Sequence, residues 1–137
     1  MPPTLTRIPY AEALVAQWLR VNMGRPVYSS LPAQPNWPVL VVKLIGSSSP
    51  VREWLWSPRL QVESWGTNKT EAFHLIEEAR RWIIDMAGRT FSTGAGAADD
   101  AVVNDADDDF GIMWLPDPVT NRDRYILGVT LTLHPTP

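Results

Sequence analysis

The sequence predicts a single α+β domain: a mainly antiparallel or mixed sheet of four to five strands with two helices on one face, in the order α-β-β-β-α-β-β. Three observations carry that expectation. Two segments, Tyr10 to Asn22 and Thr70 to Met86, repeat apolar residues at helical spacing. Val39 to Ile45 is a nearly unbroken aliphatic run, broken only by Lys43. Arg124 to His134 alternates as a half-buried strand should. With 137 residues, 45% apolar and 20% charged, residues 1–137 read as one globular domain able to bury a core without staples.

The first helix follows Pro9, with Leu14, Trp18 and Val21 at i, i+4 and i+7 and Ala11 and Val15 beside them. Gly24 suits its C-cap and Pro26 forbids continuation. Val27 to Leu31 is a short strand candidate, and Pro32, Pro35 and Pro38 space the loop that follows. Val39 to Ile45 then reads as a central strand buried on both faces. Gly46 to Pro50 is a loop by composition, and Val51 to Trp65 is extended chain in two pieces separated by Pro58. In the second piece Leu60, Val62 and Ser64 share one face, while Gln61, Glu63 and Trp65 share the other.

After Gly66, Asn68 or Thr70 caps the second helix, with Glu71 in its first turn favoured by the helix dipole. Ala72, Ile76, Ala79, Ile83 and Met86 form its core stripe, expected to pack on Val41 and Val62, and Gly88 ends it. Residues 92 to 109 are low in complexity and hold six aspartates between positions 99 and 109. Like charges that close predict an extended, mobile acidic loop with no element beyond a frayed strand at Ala101 to Val103. Phe110 to Leu115 is the next strand, closed by a turn at Pro116 to Pro118. In the last strand Tyr125, Leu127, Val129, Leu131 and Leu133 lie opposite Ile126, Gly128, Thr130 and Thr132.

Chemistry is sparse in this pattern. The chain has no cysteine, which excludes disulfides, thiolate metal sites and a cysteine nucleophile. Two histidines leave little for a metal centre or triad. Asp105, Asp107 and Asp109 with Gly111 imitate the start of a calcium loop but lack its distal glutamate, so a solvated acidic segment is expected. His74, a turn before Glu77 and Glu78, reads as an exposed helix residue, and His134 has no assigned role. The Ser47 to Ser49 and Gly94 to Gly96 stretches lack phosphate-loop spacing. No catalytic, metal or cofactor site is expected.

A net charge of −3 argues against non-specific nucleic-acid binding. No apolar run approaches a membrane span and no secretory leader is visible, so a soluble, intracellular protein is expected. The conspicuous side chains are aromatic. Trp54 and Trp56 bracket Leu55 between Arg52 and Arg59. They either cover the sheet, anchor another chain or line a small-molecule pocket.

The order of segments resembles the tail terminator proteins of long-tailed bacteriophages, related to the lambda tail terminator and tail-to-head joining proteins. The resemblance spans residues 8 to 135. It is carried by an amphipathic N-terminal helix, then Pro-Val-Leu-Val-Val-Lys-Leu-Ile-Gly, then Ser-Pro-Arg-Leu-Gln-Val-Glu-Ser-Trp-Gly running into Thr-Asn-Lys-Thr-Glu-Ala-Phe-His-Leu-Ile, and finally Trp114 to Pro118 and Arg124 to Leu133. Pro58 to Ala79 is its most specific stretch.

The resemblance implies a non-enzymatic structural virion protein, assembled in the host cytoplasm and placed at the head-proximal end of the tail. It implies a homo-oligomeric, hexameric ring that caps the finished tail tube and joins it to the head connector or stopper. Within that frame Arg52, Trp54, Leu55, Trp56 and Arg59 are the expected subunit or tube interface. Asp105, Asp107, Asp108 and Asp109 are expected to face a channel through which DNA passes without specific binding. Another head–tail junction or tail completion protein is the nearest alternative, and a small α+β ligand-binding or enzyme domain the more distant one.

Overall fold

A computed structural model describes residues 9–47, 55–92 and 100–135. Two helices lie on one face of a six-stranded mixed sheet. The elements are α1 (Ala11–Met23), β1 (Val27–Tyr28), β2 (Val39–Ser47), β3 (Pro58–Trp65), α2 (Lys69–Ile84), β4 (Thr90–Phe91), β5 (Ala101–Trp114) and β6 (Arg124–Pro135). The strands stand in the order β1-β2-β3-β6-β5-β4. Among the described residues only the short β1–β2 pairing is parallel.

The α+β class and the two helices are as expected. The sheet exceeds the expected four to five strands because β4 is added at one edge, which also lengthens the order to α-β-β-β-α-β-β-β.

The core lies between helices and sheet. Both helices contribute to one apolar cluster with Leu40 and Val42 of β2, Leu60 and Val62 of β3, and Leu127, Val129, Leu131 and Leu133 of β6. Strand alternation sends Val39 and Val41 to the far face, where they pack with Trp65. Ile76, Ala79 and Ile83 therefore share their cluster with Leu40 and Val42, and not with Val41. The full burial of Val39 to Val42 has the same origin, since each face of β2 is covered there.

Local chemistry explains where α2 begins and where α1 ends. Asn68 accepts a hydrogen bond from the Glu71 amide (2.9 Å), and Glu71 accepts in return from the Thr67 amide and hydroxyl (2.8 and 2.9 Å). These bonds satisfy donors that a bare helix start would leave open, and the two from Thr67, the amide first, hold the Glu71 carboxyl below its ordinary pKa. Gly24 ends α1 in the left-handed conformation, φ 63°. The stripe of α1 is rotated from the expected one: Ala11, Leu14, Val15 and Leu19 are buried, while Val21 is 73% exposed. At about 100° per residue Val21 points some 200° away from Leu19. Trp18 sits at the edge of the stripe, donating to the Trp82 carbonyl (2.7 Å) and meeting Phe91 edge-on.

The largest correction concerns the acidic stretch. The described aspartates from Asp105 to Asp109 lie in a strand, β5, not in a loop. Ala101, Val103 and Ala106 anchor it in the core. The charges are divided between the two faces, and two of them are paired. Asp108 meets Arg80 of α2, while Asp109 meets Arg59 of β3. Repulsion that looks prohibitive along the sequence is thereby relieved across the sheet.

Candidate functional site

Beyond Val103 the outer edge of β5 has no strand beside it among the described residues. β4 pairs only with Ala101 and Val102, and Val103 is held by the Gly88 amide and the Arg89 carbonyl. Along Asn104 to Trp114, therefore, no described strand takes the backbone groups on that side. Register shifts against β6 fall between Val103 and Asp105, Asp108 and Phe110, and Phe110 and Met113. Such irregularities twist an edge and limit which strands can pair with it. Past the last shift, Met113, Trp114 and Leu115 are each close to half exposed.

The side chains of this edge follow from its partners on β6. Asp105 and Asp107 stand opposite Thr132 and Thr130, on the far face of the sheet. Asp109 joins that face, accepting from the Thr130 hydroxyl (2.6 Å) and from Arg59 Nε (2.7 Å). Asp108 stands opposite Val129 on the helix face, where Arg80 grips it with two nitrogens. The Phe110 ring crosses Gly128, where a β-carbon would collide with it. Lys69 Nζ lies 4.1 Å from the centre of the Trp114 ring, tying the strand's end to the start of α2.

Two carboxylates here respond oppositely to their surroundings. The Thr130 hydroxyl, and then Arg59, hold Asp109 below the ordinary carboxylate range. A hydrogen bond with Asp105, and then its negative charge, push Asp107 above it. The signs follow by linkage. Asp109 stabilises the fold above its unfolded pKa of about 3.9, and this is lost as pH falls through the lower folded value. Ionised Asp107 opposes folding, so its contribution is present in acid and is lost as pH rises through the raised folded value. Thermal unfolding across the acid range is expected to show Asp109→Asn destabilising at neutral pH, by no more than about 1 kcal/mol for so exposed a pair, with the difference closing in acid. Asp107→Asn is expected to be neutral or stabilising at neutral pH. The reverse order at neutral pH would refute these assignments.

The structure brings together residues that the sequence placed in separate groups: Arg59, from the expected interface, pairs with Asp109, from the expected channel segment. Of the other expected interface residues, Arg52 and Trp54 lie outside the described residues, as does Asp99. Leu55 is 41% exposed. Trp56 is in the core, exchanging backbone hydrogen bonds with Leu133 (2.8 and 2.7 Å). Trp56 thus packs on the sheet, as the first of its three expected placements had it. His74 is exposed against Phe73, and His134 Nδ1 meets the Asn104 amide at 2.9 Å.

A second polar centre escaped sequence reasoning. Glu63, 2% exposed on the far face, binds Lys43 (3.1 Å), Gln61 (2.9 Å) and the Trp65 indole N–H (3.1 Å). Trp65 stacks on Trp37, and Arg122 lies over Trp37 at 4.1 Å. Beside this stack, Pro32, Pro35, Val119 and Thr120 are among the walls of an open cleft of about 410 Å³. The signal available beforehand was a glutamate in a strand flanked by valine and serine, with Lys43 on the neighbouring strand. No group of three or more acidic or histidine side chains among the described residues is arranged to hold a metal ion.

No family model matches the chain, and a search of curated proteins finds no match.

Proposed function

We propose that the chain is a structural assembly subunit, a phage tail terminator that builds a closed ring at the head-proximal end of the tail tube. The single observation that carries this reading is the open edge of β5, running from Asn104 to the exposed Met113, Trp114 and Leu115. A strand edge of this length that ends in exposed apolar side chains is a surface suited to a neighbour. Rings use a head-to-tail contact that closes, in which this edge meets a different surface of the next copy. The segment most similar to the tail terminators, Pro58 to Ala79, forms β3, the Gly66 turn and most of α2. In this reading the partners are further copies of the chain, the tail tube protein and the head connector.

Light scattering or native mass spectrometry, with and without tail tube protein, tests the proposal. A mass six times that of one chain is expected, alone or on the tube. Met113→Asp combined with Leu115→Asp should leave the unfolding free energy within about 0.5 kcal/mol, because both sites are on the surface, while the mass falls to one chain. A wild-type chain that stays monomeric under both conditions would refute the ring. The small-ligand alternative draws on the Trp37–Trp65 cleft, and ligand-dependent quenching of tryptophan fluorescence in a monomer would favour it.

A further inference from the structure

The two edges of the sheet are not equivalent. On the β2 side, the Leu44 amide that would face an incoming strand already donates to Glu12 Oε2 of α1 at 2.8 Å. That carboxylate also accepts from Tyr10, so a helix side chain occupies the position a partner strand would use. On the β5 side, no described group caps Asn104 to Trp114 in this way, apart from the Asp105 carboxylate on the Ala106 amide. If a strand adds to this sheet, β5 is where its backbone ladder can form.

The charges on β5 restrict what that strand can be. Asp108 and Asp109 are neutralised within the chain by Arg80 and Arg59. Asp105 and Asp107 have no cationic partner among the described residues; they face each other's charge instead. Two apart in the strand, they share the far face, and an added strand would set its own side chains about 4.5–5.5 Å from theirs. Pairing two copies of β5 about a twofold axis would set these carboxylates against the same carboxylates, and like charges directly opposite destabilise a ladder.

We infer that the free edge of β5 docks an extended segment of another polypeptide that carries Lys or Arg at every second position. Main-chain hydrogen bonds supply the attachment, as in other cases of strand addition. The alternating cations meet Asp105 and Asp107, and the exposed Met113 and Leu115 receive apolar residues at one end. The inference rests on the β5 edge being the assembly surface but does not require a ring. It sets Asp105 and Asp107 against a protein partner and not against DNA in a channel.

The test uses the full chain, ¹⁵N-labelled and diluted until it is monomeric, with a capped octapeptide alternating Lys with Val or Thr. Amide exchange should slow between Asn104 and Trp114, and affinity should fall with salt. Asp105→Asn with Asp107→Asn should weaken binding about fivefold, the scale of two cross-strand ion pairs. A peptide with glutamate for lysine should not bind. One with every second amide N-methylated, its charge retained but its ladder removed, should bind at least about tenfold more weakly. Equal binding by either control, or protection elsewhere in the chain, would overturn the inference. If the chain stays assembled at every concentration, the lysine peptide should lower its mass, and failure to do so counts equally against it. A sixfold mass with no peptide effect would sink the basic strand alone; peptide binding by a permanent monomer would sink the ring alone.

Discussion

Ile83→Ala is expected to destabilise the chain by about 2–5 kcal/mol, the range for truncating a large buried aliphatic side chain. Ile83 is fully buried on α2, in one cluster with Leu40 and Val42 of β2, Leu60 and Val62 of β3, and Leu127 and Val129 of β6. Its removal costs the transfer free energy of the lost methyl groups. It also leaves a cavity beneath α2, whose position is fixed at both ends: the Asn68 cap holds the start, and Met86, also fully buried, holds the turn after Ile84. A helix so held closes little of the gap. At roughly 3–6 °C per kcal/mol for a domain of this size, the midpoint should drop on the order of 10–20 °C. Phe73→Ala, truncating an exposed ring on the same helix, is the control and should cost far less. Equal effects from the two would mean that the buried face of α2 is wrongly assigned.

Gly66→Ala should produce the second large loss, about 1–3 kcal/mol from forced overpacking. Gly66 joins β3 to α2, and its own amide donates to the Asp123 carbonyl (3.1 Å). A β-carbon there would stand 2.8 Å from the Ala72 nitrogen and 2.9 Å from the Asn68 carbonyl oxygen. Those two atoms are hydrogen-bonded to each other at 3.1 Å in the first turn of α2, so neither can retreat without opening the helix start. Ser64 adds to the restraint by donating from its buried hydroxyl to the Ala72 carbonyl (2.7 Å). Denaturant unfolding should show a lower midpoint with an unchanged slope, because the damage is local. Wild-type stability in Gly66→Ala would show that this turn has room that its geometry denies.

The stripe of α2, the stop at Gly24 and the two faces of β3 and β6 were legible in the sequence, which also narrowed the cap of α2 to Asn68 or Thr70. Each depends on contacts a few residues apart, and periodicity of 3.6 or 2 reports directly which side chains share a face. The α+β class followed from the same patterns.

What only the tertiary structure decided was how those faces meet and which charges find partners. Val21 sits at helical spacing from Trp18, yet it is exposed, because the face of α1 that meets the sheet is centred on Leu14, Val15 and Leu19. Trp56 reads along the chain as sheet cover, anchor or pocket wall alike, and the bridge to Leu133 places it in the core. The acidic segment read as a loop because its repulsion is local, whereas the groups that relieve it, Arg59 and Arg80, are separated from it by 50 and 28 residues. Nor does any local pattern mark one strand edge as capped by Glu12 and the other as open. Local periodicity encodes which side chains face the same way. Charge pairing and edge exposure depend on contacts between distant segments, so they exist only once the chain has folded.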